Sequence, residues 1–307
     1  MKILDQEFGN NWAAYNGDCV EVCRGLHPNS IHYILFSPPF ASLYTYSDSD
    51  RDMGNSKDDA VFSRHFGFLT EQLFRVLKPG RLCSIHCMDI PAMKERDGYI
   101  GLKDFPGDIL RAMQRVGFIY HSRVAIWKDP LIEATRTKAL GLMHKQIEKD
   151  SAMCRNGLPD YIITVRKPGD NDDPIAHPGG FGCFIGDNEP KQTGVEYSHN
   201  VWRRYASPIW MDINQTRTLN VIMARDERDE RHICPLQLDT IARCVHLWTN
   251  ERDVVLSPFA GIMSEGYESL KMGRRFVGVE LKRSYFEEGV RNLLSVENGA
   301  KQLELFG

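Results

Sequence analysis

Two hydrophobic rhythms alternate along the chain. Ile31–Phe36 is a short apolar run that reads as a strand, and residues 60–77 then carry apolar side chains at helical spacing up to the stop at Lys78-Pro79-Gly80. Residues 81–87 read as a second strand, 105–116 as a helix broken by Gly117, and 118–127 as a third strand. The rhythm fades between 129 and 208, where Lys167-Pro168-Gly169-Asp170-Asn171-Asp172-Asp173-Pro174 and Gly179-Gly180-Phe181-Gly182 punctuate basic sequence. That stretch predicts an insertion, not more of a sheet. Regularity returns with a helix at 235–247, a strand at 254–256, a helix at 263–272, a strand at 276–280 and a last helix from 282 to about 296. Strands alternating with helices predict an α/β protein built on a parallel sheet.

At 307 residues and 42% hydrophobic content the chain can bury a sizeable core. No run is long enough to span a membrane, and the first eleven residues are too polar for a secretory signal, so a cytoplasmic location is the default expectation. The 38 basic residues against 41 acidic ones give no global sign of a polyanionic partner, and any nucleic-acid surface must be local. Basic residues outnumber acidic ones between Lys128 and Lys167. The eight cysteines show no paired zinc spacing and read as reduced core thiols; His144, His177, His199 and Cys183 likewise lack ligand spacing, so no metal is expected.

Ser37-Pro38-Pro39-Phe40 follows the first clear strand. The amino nitrogen of cytosine or adenine is a poor nucleophile because its lone pair is delocalised into the ring. Two acceptors on its hydrogens, the Ser37 hydroxyl and the Pro38 carbonyl, would hold it so that the lone pair is freed. The prolines fix the backbone without adding donors, and Phe40 offers a flat face to an unstacked base. By itself the tetrapeptide is equally a strand-to-loop turn; its place at the carboxyl end of a parallel strand, where open α/β sheets bind ligands, favours a site. His86 and Cys87, near another strand end, read as core or pocket lining.

A second site is written near the other end. The strand at 254–256 leads into Ser257-Pro258-Phe259-Ala260-Gly261-Ile262-Met263 and a helix, a cradle in which backbone donors can meet a ligand's polar groups and Gly261 permits close approach. About twenty residues on, Phe276-Val277-Gly278-Val279-Glu280 is an apolar strand ending in an acid, the spacing that suits two ribose hydroxyls.

Ser37-Pro38-Pro39-Phe40 with Pro258-Phe259-Ala260-Gly261 far downstream resembles the amino-methyltransferases of DNA in the permuted order called the beta class, and the resemblance runs over nearly the whole chain. It implies a circularly permuted, Rossmann-like S-adenosylmethionine-dependent methyltransferase fold. Residues 1–128 would be the catalytic half, 129–208 an inserted target-recognition region and 209–307 the cofactor half. Catalysis would rest on Ser37, Pro38, Pro39 and Phe40. S-adenosyl-L-methionine would be held by Asp18, which lies in the family-like Asn16-Gly17-Asp18, together with Ser257, Pro258, Phe259, Gly261 and Glu280. Trp127-Lys128 resembles the end of the last catalytic-half strand, and the helix at 235–247 the segment before the cofactor motif. The chain departs from the family at Ser257, where Asp is usual, and at Met263, often a second Gly. Ser37 in place of Asp resembles the cytosine-N4 members.

The resemblance further implies double-stranded DNA as partner, with a homodimer left open and no membrane. Arg136, Lys138, Lys145, Lys149 and Arg155 mix with Thr, Gln and Asn and are candidates for DNA contact, as are Arg203-Arg204 beside Trp202 and Tyr205. A solvated basic surface is the competing reading. The expected activity is methylation of a flipped base, cytosine N4 before adenine N6. Methylation of RNA or a protein amide, and a DNA-binding homologue without catalysis, remain alternatives.

Overall fold

The computed structural model describes residues 3–39, 59–92, 94–137, 144–153, 155–219 and 236–306. In chain order the elements are β1 (Ile3–Phe8), β2 (Trp12–Gly17), α1 (Cys19–Gly25), β3 (Ile31–Phe36), α2 (Asp59–Val76), β4 (Leu77–Cys87), β5 (Ile90–Ala92), α3 (Lys94–Asp97), β6 (Gly101–Lys103), α4 (Phe105–Arg115) and β7 (Ile119–Ile126). They continue with α5 (Pro130–Thr137), α6 (His144–Ile147), β8 (Asp160–Arg166), α7 (Gly194–Tyr205), β9 (Ile209–Trp210), α8 (Leu238–Trp248), β10 (Val254–Ser257), α9 (Ser264–Lys271), β11 (Arg275–Glu280) and α10 (Arg283–Phe306).

One nine-stranded sheet runs β1-β2-β11-β10-β3-β4-β8-β7-β9. The five strands from β2 to β4 are mutually parallel, and β8 is antiparallel to both neighbours. β10, from the last quarter of the chain, pairs directly with β3, from the first. From this pair the chain winds outward in opposite directions, β10 through α9 to β11 and β3 through α2 to β4, which makes their carboxyl ends the sheet's switch point. This is the permuted α/β fold that the sequence predicts.

Helices cover both faces, which is why Tyr33–Phe36 is continuously buried and largely apolar instead of alternating. Ile34 and Phe36 point into a core formed with α1, α2 and α4, including Val22, Phe66, Leu73 and Met113. Tyr33 and Leu35 point into the opposite core with Ile241, Val245, Phe286 and Leu293 of α8 and α10. Five of the six cysteines among the described residues are buried and all six are free thiols, as expected of core filler. No helix among them is long and apolar enough to cross a membrane.

The expected insertion needs one correction. Residues 160–166, inside the 129–208 stretch, form β8, which is interior to the sheet between β4 and β7. Ile162 enters one core, and Ile163 and Val165 the other. Punctuated sequence on both sides masks this seven-residue run. The segment after it is fastened by Arg243 of α8. That fully buried guanidinium donates to the Ile185 carbonyl and to Asp212 (2.8 Å) and lies over the rings of Phe184, Tyr205 and Trp210.

At the amino edge of the sheet, His32, Asp173 and Asp253 converge at ligand-like spacing. A cation is already there: the Arg81 guanidinium pairs with Asp253. His32 accepts from the Val254 N–H (3.1 Å) and turns its other nitrogen to Asp253 (3.6 Å).

Candidate active site

Ser37, Pro38 and Pro39 leave the carboxyl end of β3 beside the turn that leaves β10, because Tyr33 pairs with Val255 and Ile34 with Leu256. The last residue of β3 touches the second turn through aromatic rings, with Phe36 and Phe259 centroids 5.8 Å apart. Segments at opposite ends of the chain therefore meet at one rim of one sheet. Phe40, expected to offer its face to the base, lies outside the described residues.

On the catalytic side, Ser37 is half-buried and Pro38 buried. Ser37 Oγ stands 3.1 Å from His86 Nδ1 and 3.3 Å from the His86 carbonyl oxygen. His86 is on β4, next to β3, and its Nε2 lies 3.3 Å from Asp160 Oδ2 at the start of β8. The pair is close but not aligned as a hydrogen bond, and the buried Nε2 has no hydrogen-bond partner among the described residues. Lys128, just beyond β7, donates to the other Asp160 oxygen at 2.7 Å. Burial alone would raise the Asp160 carboxyl, but His86 and Lys128 outweigh it and hold that group far below the usual carboxylate range. Being antiparallel, β8 begins at the rim where β3 and β4 end, which carries Asp160 to the site.

Sequence reading misses this line of partners. It gives His86 only as core or pocket lining and does not single out Asp160. The one available signal is an acid heading the five-residue, largely apolar run Tyr161–Val165.

On the other side, the turn after β10 is fixed by the Ala260 N–H donating to the Val279 carbonyl (2.9 Å) and by Met263 N–H donating to Ala260 (2.7 Å). Glu280 Oε2 accepts from the Gly261 N–H at 2.8 Å and Oε1 from the Lys282 N–H at 2.8 Å, which aims the carboxylate at the turn. Asn16 Nδ2 donates to the carbonyls of Glu280 and Leu281, tying the end of β2 to that of β11. Asp18 stands just beyond β2 on the same rim and caps α1 through the Glu21 N–H.

Two observations suit an adenosyl cofactor here. Gly261 has φ +52, and a Cβ on it would meet nothing within 4 Å, so its backbone faces open space. Ser257 Oγ, fully buried at the end of β10, has no hydrogen-bond partner among the described residues, leaving a polar group at the foot of the turn. Gly261, Pro258, Phe259, Glu280 and Asp18 are the residues that would hold the cofactor.

The expected DNA contacts separate. Lys145 on α6 and Lys149 just after it are exposed. Arg155 is paired with the buried Glu133 at 3.4 Å, which ties its guanidinium to α5. Arg136 falls within α5, and Lys138 lies outside the described residues. Arg204 is held over Phe184 near Asp212, whereas Arg203 and Trp202 are exposed.

Comparison with known proteins assigns the family, since residues 31–291 match the model for DNA methylases of the N6/N4 type. The chain belongs to that DNA methylase family. Among solved structures this methylase resembles TTHA0409 of Thermus thermophilus in complex with S-adenosyl-L-methionine, with TM-score 0.65 and 21% identity over 94% of each chain. It also resembles the cytosine-N4-specific PvuII DNA methyltransferase, with TM-score 0.63 and 14% identity over 97% of this chain and 95% of that one. A shorter match, 36% identical over 53 residues, is to the DNA adenine methyltransferase YhdJ of Escherichia coli K12 and spans 17% of this chain and 18% of that protein.

Proposed function

We propose that this methylase transfers a methyl group from S-adenosyl-L-methionine to the exocyclic amino nitrogen of a flipped base in double-stranded DNA, with cytosine N4 as the target. The observation that carries the reading is the meeting of the Ser37-Pro38 turn with the Phe259–Gly261 turn at the switch point of the sheet. S-adenosyl-L-methionine, when bound, supplies a methyl group activated by a positively charged sulfur. The chain supplies geometry and acceptors. Ser37 Oγ and the Pro38 carbonyl each take one amino hydrogen, which holds the nitrogen with its lone pair directed toward the cofactor turn. Phe40 supports the face of the extruded base. Glu280, Asp18 and the backbone of Gly261 hold the cofactor.

Ser37 in the first tetrapeptide position supports cytosine. The local match to YhdJ supports adenine N6 as the second reading. Residues 129–208, apart from β8, act in this proposal as the target-recognition region, and the cytoplasm is the compartment it implies.

Sequencing of DNA from cells expressing the protein, by a method that separates N4-methylcytosine from N6-methyladenine, identifies base and target site together. Ser37→Ala and Phe40→Ala are expected to abolish the mark while calorimetry shows S-adenosyl-L-methionine binding unchanged. Wild-type levels of methylation in both variants would remove the site assigned here.

A further inference from the structure

A hydroxyl carries one proton and two lone pairs. For Ser37 to accept from an amino group, its own proton must point elsewhere; two acceptors are in reach, the His86 carbonyl at 3.3 Å and, nearer, His86 Nδ1 at 3.1 Å. Nδ1 can receive that proton only in the tautomer bearing its hydrogen on Nε2. The Asp160 carboxylate, 3.3 Å from Nε2, favours a hydrogen on that nitrogen by its negative charge, and Lys128 at 2.7 Å fixes Asp160 in turn. The partners come from three strands: Ser37 directly follows β3, Asp160 opens β8, and Lys128 lies two residues beyond β7. His86 and Asp160 are both buried, and the low polarity around them strengthens these contacts.

We propose that His86, oriented by Asp160 and Lys128, is the positioning residue that makes Ser37 an obligate acceptor for the target amino group and receives its surplus proton. The inference rests on the reading of Ser37 as the group that holds the amine. Once methylated, the amino nitrogen carries one proton more than the product. That N–H bond breaks as an O–H bond forms at Ser37 Oγ, while the original Ser37 O–H bond breaks and an N–H bond forms at His86 Nδ1. The imidazolium so formed lies against the Asp160 carboxylate and returns to neutral by releasing the proton to water. Nothing is oxidised or reduced, and Asp160 stays ionised throughout. A serine hydroxyl is too weak a base to retain a proton, so the imidazole gives this route a terminus.

Two measurements test it on the full chain. Nitrogen-15 NMR of the ligand-free protein, with the His86 signals assigned by their loss in His86→Gln, is expected to report the Nε2–H tautomer in the wild type and a gain of the Nδ1–H form in Asp160→Asn. Kinetics on duplex DNA are expected to show kcat lower by about 10²-fold in His86→Gln, the scale on which a misplaced reacting group slows a reaction. The KM for DNA and the affinity for S-adenosyl-L-methionine should remain near wild type, a split that a merely structural histidine would not produce. An Nδ1–H tautomer in the wild type overturns the proposal whatever the kinetics. Near-normal kcat in His86→Gln beside an inactive Ser37→Ala overturns the proton route and leaves the role of Ser37 intact. Full activity in Ser37→Ala overturns the underlying reading and the route with it.

Discussion

Glu265 is a buried carboxylic acid on the first turn of α9, behind the turn that carries Gly261. Burial pushes it up to about 8, and the negative charge of Glu280 adds to the rise. An acid whose folded pKa exceeds its unfolded one holds a proton that the unfolded chain has already released. Such a group destabilises the fold progressively as pH climbs from the ordinary glutamate range toward 8, by an amount on the order of a few kcal/mol. Below that range the penalty vanishes. Glu265→Gln, which keeps the shape and removes the titration, should therefore narrow the loss of thermal stability between pH 5.5 and 8.5. Melting curves at the two pH values decide it, and equal losses in wild type and variant would refute the buried-acid account.

Met263 stands where the family resemblance often implies a second glycine, and the surrounding structure accommodates its side chain. It holds the left-handed conformation, φ 62 and ψ 37, that glycine adopts without strain. Its buried side chain fills the space over two glycines: a Cβ on Gly289 would fall 2.3 Å from Met263 Cγ, and one on Gly278 2.4 Å from Met263 Sδ. Gly289→Ala alone should be strongly destabilising. Together with Met263→Gly it should be less so than the two changes summed, with a coupling on the order of 0.5–3 kcal/mol in a double-mutant cycle. Strict additivity in thermal melts would mean that the two positions do not share this space.

At the scale of elements, what the sequence revealed depended on how each piece is buried. β3, β10 and β11 were readable because strands covered on both faces are continuous apolar runs between turns, and α2, α4 and α8 because one face of each repeats at helical spacing. β8 is equally buried but sits between the Lys149–Arg155 stretch and the Pro- and Gly-rich segment that follows, so its seven residues carried too little pattern to stand out. The site divided in the same way. Ser37, Phe259 and Glu280 stand in contiguous motifs, whereas His86 and Asp160 join Ser37 only through strand order, with Ser37 and His86 already 49 positions apart. The segment between β8 and β9 depends on a contact with no local signature, the buried Arg243. Arg243→Ala leaves Asp212 without this close partner and uncovers three rings, and it should cost about 3–5 kcal/mol. Limited proteolysis should then cut between residues 169 and 193 at protease levels that leave the wild type whole. Resistance equal to that of the wild type would show that the segment is anchored elsewhere.

For the molecule as a whole, affinity for a polyanion has to come from where charge is placed, because the net charge is −3. Each phosphate neutralised by a lysine releases condensed counterions, so the slope of log affinity against log salt concentration counts such contacts at about 0.9 each on duplex DNA. Lys145 and Lys149 are exposed on the proposed recognition region, and Arg155, held by Glu133, is a poorer candidate. The Lys145→Ala, Lys149→Ala double variant should bind duplex DNA more weakly by a similar factor whatever its sequence. Its salt slope should be shallower by about 2. Arg155→Ala should leave that slope nearly unchanged and lower thermal stability instead, since it leaves the buried Glu133 without this ion pair. Fluorescence anisotropy with target and non-target duplexes across a salt series separates the cases. An unaltered slope in the lysine variant would mean that DNA reaches the rim of the sheet by another face, and a sequence-dependent loss would turn these lysines from phosphate contacts into base-reading residues.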